Sequence, residues 1–137
     1  MKQLLITIAA VVLVGCGEEN LSKDELALFD TVKSPTLDGK SSNTELIKRL
    51  IESGINVSAK EKTTGQTPLH YAAKNYHMEI AELLIANGAG INEMCDQGFT
   101  PLDYLEVDNK SWGSKEEMIK LLRKHGGKLK AFNDAGN

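Results

Sequence analysis

The chain of 137 residues is one domain's worth of sequence, enough to enclose a single core. Its formal net charge of −3 and isoelectric point of about 5.6 argue against the clustered basic surface that a nucleic-acid footprint needs. Aromatic residues make up only 5%, and beyond its first residues the chain reads as soluble, globular and mildly acidic.

Met1-Lys2-Gln3 carries one positive charge and is followed by an almost unbroken apolar run from Leu4 to Val14. About eleven residues suits the apolar region of a signal peptide and falls short of the roughly 20 that a membrane helix requires. The run ends in Leu13-Val14-Gly15-Cys16, which resembles the lipobox of bacterial lipoproteins. That resemblance implies a signal peptide over residues 1–15 and a Cys16 that becomes the first mature residue, acylated on its sulfur and its amine. The plainer alternative is an ordinary secretory signal that contains a cysteine. Two or three acyl chains, at roughly 0.8 kcal/mol per buried methylene, give lasting attachment where one would not. In Gram-negative lipoproteins an Asp in second place retains the protein at the inner membrane. Gly17 stands there instead, so the expectation is the outer membrane, facing the periplasm. Residues 16–22 then form a tether that keeps the domain within roughly 20 Å of the membrane surface. With Cys16 lipidated, Cys95 is the one remaining thiol and no disulfide forms within the chain; its plainest role is a partly buried bystander.

Ser22-Lys23-Asp24-Glu25 reads as a capping box that opens a helix, with Leu26, Phe29 and Val32 on its inner face and Pro35 as its stop. A polar insert through Asn43, containing Gly39, Lys40, Ser41 and Ser42, delays the next helix. Then comes a ten-residue block that occurs three times, at Glu45–Gly54, Glu79–Gly88 and Glu117–Gly126. Its second, third and sixth positions are apolar: Leu46, Ile47 and Leu50, then Ile80, Ala81 and Leu84, then Met118, Ile119 and Leu122. This spacing lays a stripe along a helix. Gly54, Gly88 and Gly126 stand where a helix ends in a left-handed residue. Val57, Ile91 and Leu129, three residues on, read as return segments tucked under the next unit.

Two of these helices are preceded by a second recurrent element. Thr67-Pro68-Leu69-His70-Tyr71-Ala72-Ala73 returns 33 residues later as Thr100-Pro101-Leu102-Asp103-Tyr104-Leu105-Glu106. Thr as N-cap with Pro in the first helical position is a strong helix start. Gly65 and Gly98, two residues earlier, suit a tight turn. The unit is turn, short helix, loop, longer helix, Gly and return loop, which means stacked supersecondary elements.

The pattern resembles the ankyrin repeat, whose Gly-x-Thr-Pro-Leu-His-x-Ala-Ala is matched from Gly65 to Ala73. His77, Ile80, Leu84, Ile85, Gly88 and Ala89 nearly complete the family's second half. The resemblance covers about Ser22 to Leu129 and implies an all-α ankyrin-repeat solenoid of about three helix-turn-helix units, the outer ones degenerate. The expected domain spans residues 23–130, with a tail over 131–137. Three units are about the minimum for a stable stack, so modest stability is expected. In the family a His at the place of His70 hydrogen-bonds the neighbouring turn. The third unit departs with Asp103 in place of that His and with an insertion around Asn109 to Lys115. Cys95 replaces a common turn Asp, implying a looser turn, and Tyr76 replaces the usual loop Gly, implying strain or an altered loop.

Catalytic and metal readings find little support. His70, His77 and His125 form no His-x-x-x-His, and there is no Cys-x-x-Cys and no acidic cluster at ligand spacing. No serine sits in an elbow motif and no Gly-rich phosphate loop follows a strand. Glu18–Glu19 lie in the tether and Glu116–Glu117 at a helix start, where solvation and the helix dipole explain them. No metal, cofactor or small-molecule substrate is expected.

What remains is a surface for a protein partner. The resemblance places such contacts on turn tips and on the exposed residues of first helices, lining a concave face. In the second unit these are Thr63, Thr64, Gln66, Lys74 and Asn75; in the third, Asp96, Gln97, Phe99, Val107 and Asp108. Phe99 stands where a polar or basic residue is usual, and exposed aromatics make good interface anchors. Trp112, in the third unit's extra loop, is a second aromatic candidate. The expected function is therefore a non-catalytic protein-binding lipoprotein of the bacterial envelope. An immunity or inhibitor role, a scaffold for an envelope enzyme, and a small periplasmic enzyme using His70 or His77 are its rivals.

Overall fold

The computed structural model describes residues 21–34, 42–109 and 113–130. The lipobox with Cys16, most of the 16–22 tether, Pro35 and Gly39, Trp112 and the 131–137 tail lie outside the described residues. Six helices are described: α1 Lys23–Lys33, α2 Ser42–Glu52, α3 Pro68–Lys74, α4 Met78–Ala86, α5 Pro101–Val107 and α6 Gly113–Lys124. Among the described residues there is no strand, and no helix is long and apolar enough to cross a membrane.

Each helix pairs with the next, α1 with α2, α3 with α4, α5 with α6. The first helices also pack on one another, α1 on α3 on α5, and the second helices likewise, α2 on α4 on α6. The result is an all-α solenoid of three helix pairs in two layers, with the core between them. Ala72 and Ala73 are fully buried and add no bulk, which lets α3 lie close between α1 and α5. Ile47, Ile80, Ala81, Leu84, Met118 and Leu122 supply the core from the second layer.

The helix ends follow their chemistry. Ser22 Oγ accepts from Glu25 N at 3.2 Å while Ser22 N donates to Glu25 Oε2 at 2.8 Å, a complete capping box. Gly54, Gly88 and Gly126 have φ of +88°, +90° and +90°. A Cβ built on any of them would meet nothing within 4 Å, so the backbone conformation, not crowding, requires glycine there.

Two details of the first unit differ from expectation. Leu26 is 49% exposed, and the inner face of α1 is Leu28, Phe29, Thr31 and Val32. Leu26 precedes Leu28 by two residues, which on a helix puts it on the opposite side. Leu46 is 44% exposed, whereas Ile80 in the same place of the repeated block is 3% exposed. The reason is position: α4 lies between α2 and α6, while α2 stands at the end of the stack. The inserts are also shorter than the sequence suggests, because α2 begins at Ser42 and α6 at Gly113.

Candidate partner-binding face

The turn before α3 is closed by Glu61 N donating to Gln66 O at 2.9 Å and Gly65 N to Glu61 O at 2.7 Å. The turn before α5 is closed one residue tighter, with Cys95 N donating to Phe99 O at 3.0 Å and Gly98 N to Cys95 O at 2.8 Å. Asp96 N donates to Thr64 O at 3.0 Å, joining the two tips. They approach so closely that a Cβ on Gly65 would fall 2.8 Å from Asp96 N. The turn carrying Cys95 is thus not looser than its neighbour. Cys95 is buried, its Sγ 3.4 Å from the Tyr104 hydroxyl. Burial opposes ionisation, but the Tyr104 hydroxyl and the backbone around Phe99 and Gln97 outweigh it and hold the thiol below its ordinary pKa.

His70 fixes one turn to the next. Its Nδ1 accepts from Thr67 N at 3.0 Å, which leaves the proton on Nε2 to be donated to Phe99 O at 2.9 Å. Burial first, and the Lys60 charge second, keep its pKa below the ordinary 6.5. Asp103 does the corresponding work with opposite polarity. Its Oδ2 accepts from Thr100 N at 2.8 Å, and its Oδ1 accepts from Lys130 N at 3.0 Å.

Tyr76 occupies the left-handed region with φ +58°, as its place in a glycine position implied. Its hydroxyl donates to Asp108 Oδ2 at 2.6 Å, tying the α3–α4 loop to the end of α5. Burial and that carboxylate push the phenol up to about 12. On the other side of α3, Glu61 accepts from Lys33 Nζ, from Tyr71 Oη at 2.5 Å and from Thr64 Oγ1 at 2.8 Å. Partial burial disfavours its charge, yet these three donors bring its pKa down to about 2.

The sequence-derived contact residues divide accordingly. Thr63, Asp96 and Gln97 are exposed at the turn tips, Lys74 and Asn75 at the end of α3, and Val107, 68% exposed, at the end of α5. Thr64 is half-buried with its hydroxyl committed to Glu61, and Asn75 Nδ2 donates to Val32 O at 3.2 Å. Asp108 is half-buried beneath Tyr76. Gln66 is a correction: it is 8% exposed and its Oε1 is buried, so its side chain is not offered to a partner. The position just before Thr-Pro points inward, and Phe99 in the same place is half-buried too. Phe99 packs edge-on against Tyr104 at 5.7 Å, and Lys130 Nζ lies over its ring at 5.7 Å.

Several residues of this face were not singled out from the sequence. Tyr71 meets Phe29 edge-on at 6.0 Å and Tyr104 meets His70 at 5.8 Å. Lys33 Nζ lies 4.9 Å from the Tyr71 ring centre and Lys74 Nζ 6.0 Å from that of Tyr104. The available signal was that Tyr71 and Tyr104 follow His70 and Asp103 at equal places in their units. Beside Thr63 an open groove of about 370 Å³ is lined by Leu21, Leu26, Glu61 and Lys62. Among the described residues no three His, Cys, Asp or Glu side chains gather as metal ligands would.

Comparison with known proteins agrees with this architecture. Mouse (Mus musculus) protein phosphatase 1 regulatory subunit 27 is 36% identical over 70 residues, 51% of this chain and 45% of its own. Its human (Homo sapiens) counterpart is 34% identical over 83 residues, 61% of this chain and 49% of its own. An ankyrin repeat protein of Rickettsia bellii is 38% identical over 89 residues, covering 65% of this chain and 30% of its own. The chain thus spans less than half the length of these relatives. The family model described as "Ankyrin repeats (3 copies)" matches residues 39–133. With paired helices, Thr-Pro starts and a histidine-tied turn observed over the same stretch, the chain belongs to the ankyrin-repeat family.

Proposed function

We propose that the chain is a non-catalytic protein-binding module of a bacterial envelope, anchored through lipid on Cys16 and docking a protein partner on its turn tips and first helices. The observation that carries this reading is one face of the stack. Thr63, Asp96 and Gln97 stand exposed on its turn tips, with Lys74 and Val107 at the ends of α3 and α5, and the turns are held together by the Asp96 N–Thr64 O bond and by the His70 side chain on Phe99 O. Such a preformed surface loses little entropy on binding. The family is generally one of protein-interaction scaffolds. Membrane attachment rests on the sequence of residues 4–17 alone.

A second reading, an inhibitor or immunity protein that covers an enzyme or toxin, is favoured by one finding. The phosphatase relatives are named as regulatory subunits of an enzyme. Cross-linked partner recovered by the chain and by Thr63→Tyr, Gln97→Tyr and Val107→Tyr variants tests the face. These add neutral bulk at exposed sites and are expected to lose the partner, while equal recovery by all would sink the reading. Mass spectrometry of Cys16 in membrane fractions tests the anchor separately: an unmodified Cys16 removes it.

A further inference from the structure

We propose that this face takes an acidic, extended segment of the partner protein, its carboxylates landing on Lys74 and Lys130 across Tyr104 and Phe99. The inference rests on the protein-binding reading and adds the chemistry of what is bound. An aromatic ring is negative on its face and positive at its edge. Here lysine ammonium groups lie over the ring faces of Tyr71, Tyr104 and Phe99, so an incoming group meets ammonium and ring edge. The ring hydroxyls are engaged as well, Tyr71 with Glu61 and Tyr104 with Cys95.

The lysines differ in what balances them. Lys33 is neutralised by Glu61, Lys60 by Glu93, and Arg123 by Glu106. Among the described residues no carboxylate comes within ion-pair distance of Lys74 or Lys130, and both are exposed. Asp96 shares a turn with Gly98, which Lys130 Nζ overlies, yet does not pair with it. The positive end of the ledge is therefore open, on a half-buried aromatic floor that strengthens charge pairing relative to open water. Lys74 and Lys130 arise from different units and are separated by the Tyr104–Phe99 pair. A linear run of carboxylates can engage both lysines at once.

The test is fluorescence anisotropy at low salt, with the full chain carrying Cys16→Ser and a twelve-residue peptide alternating Glu and Ser. A Gln/Ser peptide and phosphatidylglycerol vesicles serve as comparators. The Glu peptide is expected to bind, and a Lys74→Gln/Lys130→Gln double variant to weaken it about tenfold, as two partly exposed pairs allow. A Lys74→Arg/Lys130→Arg variant keeps binding, and Lys124→Gln on α6 leaves it unchanged. Equal binding by the Gln double variant, or of the Gln peptide, overturns the inference. Preference for the vesicles overturns it too and assigns the ledge to a membrane surface. Partner recovery separates the two proposals. If the bulky turn-tip variants lose the partner and the Gln double variant does not, the binding reading stands and this inference fails.

Discussion

His70 and Asp103 occupy the same place in successive units and hold the same kind of helix start, yet they face their neighbours with opposite polarity. His70 turns a donor toward the Phe99 carbonyl, while Asp103 turns an acceptor toward the Lys130 amide. Both also accept from the N-cap threonine's own backbone N–H. The half of the side chain that serves its own helix is conventional; the other half is chosen by what the next segment offers. Where a further Thr-Pro turn follows, the neighbour presents a carbonyl and a histidine fits. Where a return segment follows, it presents an N–H and a carboxylate fits.

Reversing the polarity is the strongest way to break this comparison. His70→Asp sets a carboxylate against a buried carbonyl and is expected to cost about 3 kcal/mol, roughly 15 °C in thermal unfolding. The reciprocal Asp103→His sets a donor against the Lys130 amide and should cost only about 1–2 kcal/mol, because the segment around exposed Lys130 can turn its amide toward water. Equal losses in both melts would show that shape, not polarity, decides.

Acid reads the same contact more gently. The unfolded chain begins to protonate His70 near 6.5, whereas the folded chain, in which burial lowers that pKa, resists to lower pH. Between the two the unfolded state binds more protons, so stability falls as pH drops, by at most about 1.4 kcal/mol per pH unit for one group. His77, also lowered by burial, adds in the same direction. Denaturant titrations between pH 7.5 and 5 should show this slope, and His70→Gln should flatten part of it. An unchanged slope would contradict the neutral, Nε2-protonated histidine.

The smallest effect lies one loop away. Tyr76→Phe removes the hydroxyl that joins the α3–α4 loop to Asp108 and should cost about 0.5–1 kcal/mol in the same titrations. No loss would mean that Tyr76 holds its loop by packing alone.

Much of the fold was legible because it is periodic. The thrice-occurring block, the Thr-Pro starts and the glycines at positive φ are short-range patterns that fix local backbone, and stacking follows from them. Legibility failed where periodicity meets an end. Leu46 follows a regular apolar spacing, but among the described residues its unit has a neighbouring helix pair on one side only, and Leu26 lies across α1 from Leu28. The face was legible only in part. Analogy of position put Val107 and the turn-tip residues Thr63, Asp96 and Gln97 on the surface, where they stand exposed, and wrongly put Gln66 there too. Lys33, Lys74 and Lys130 share no spacing in sequence, and only the stacking of first helices and return segment brings them over the rings.

Cys95 also bears on motion. The buried thiol lies beside Tyr104, the ring that Phe99 and Lys74 also contact. A thiol reagent can reach it only while that turn is transiently open. In a Cys16→Ser chain, where it is the sole cysteine, its labelling rate becomes a clock for local opening of the last turn, independent of global unfolding. A bound partner that seals the ledge would slow that clock, so an unengineered residue already reports on occupancy of the face.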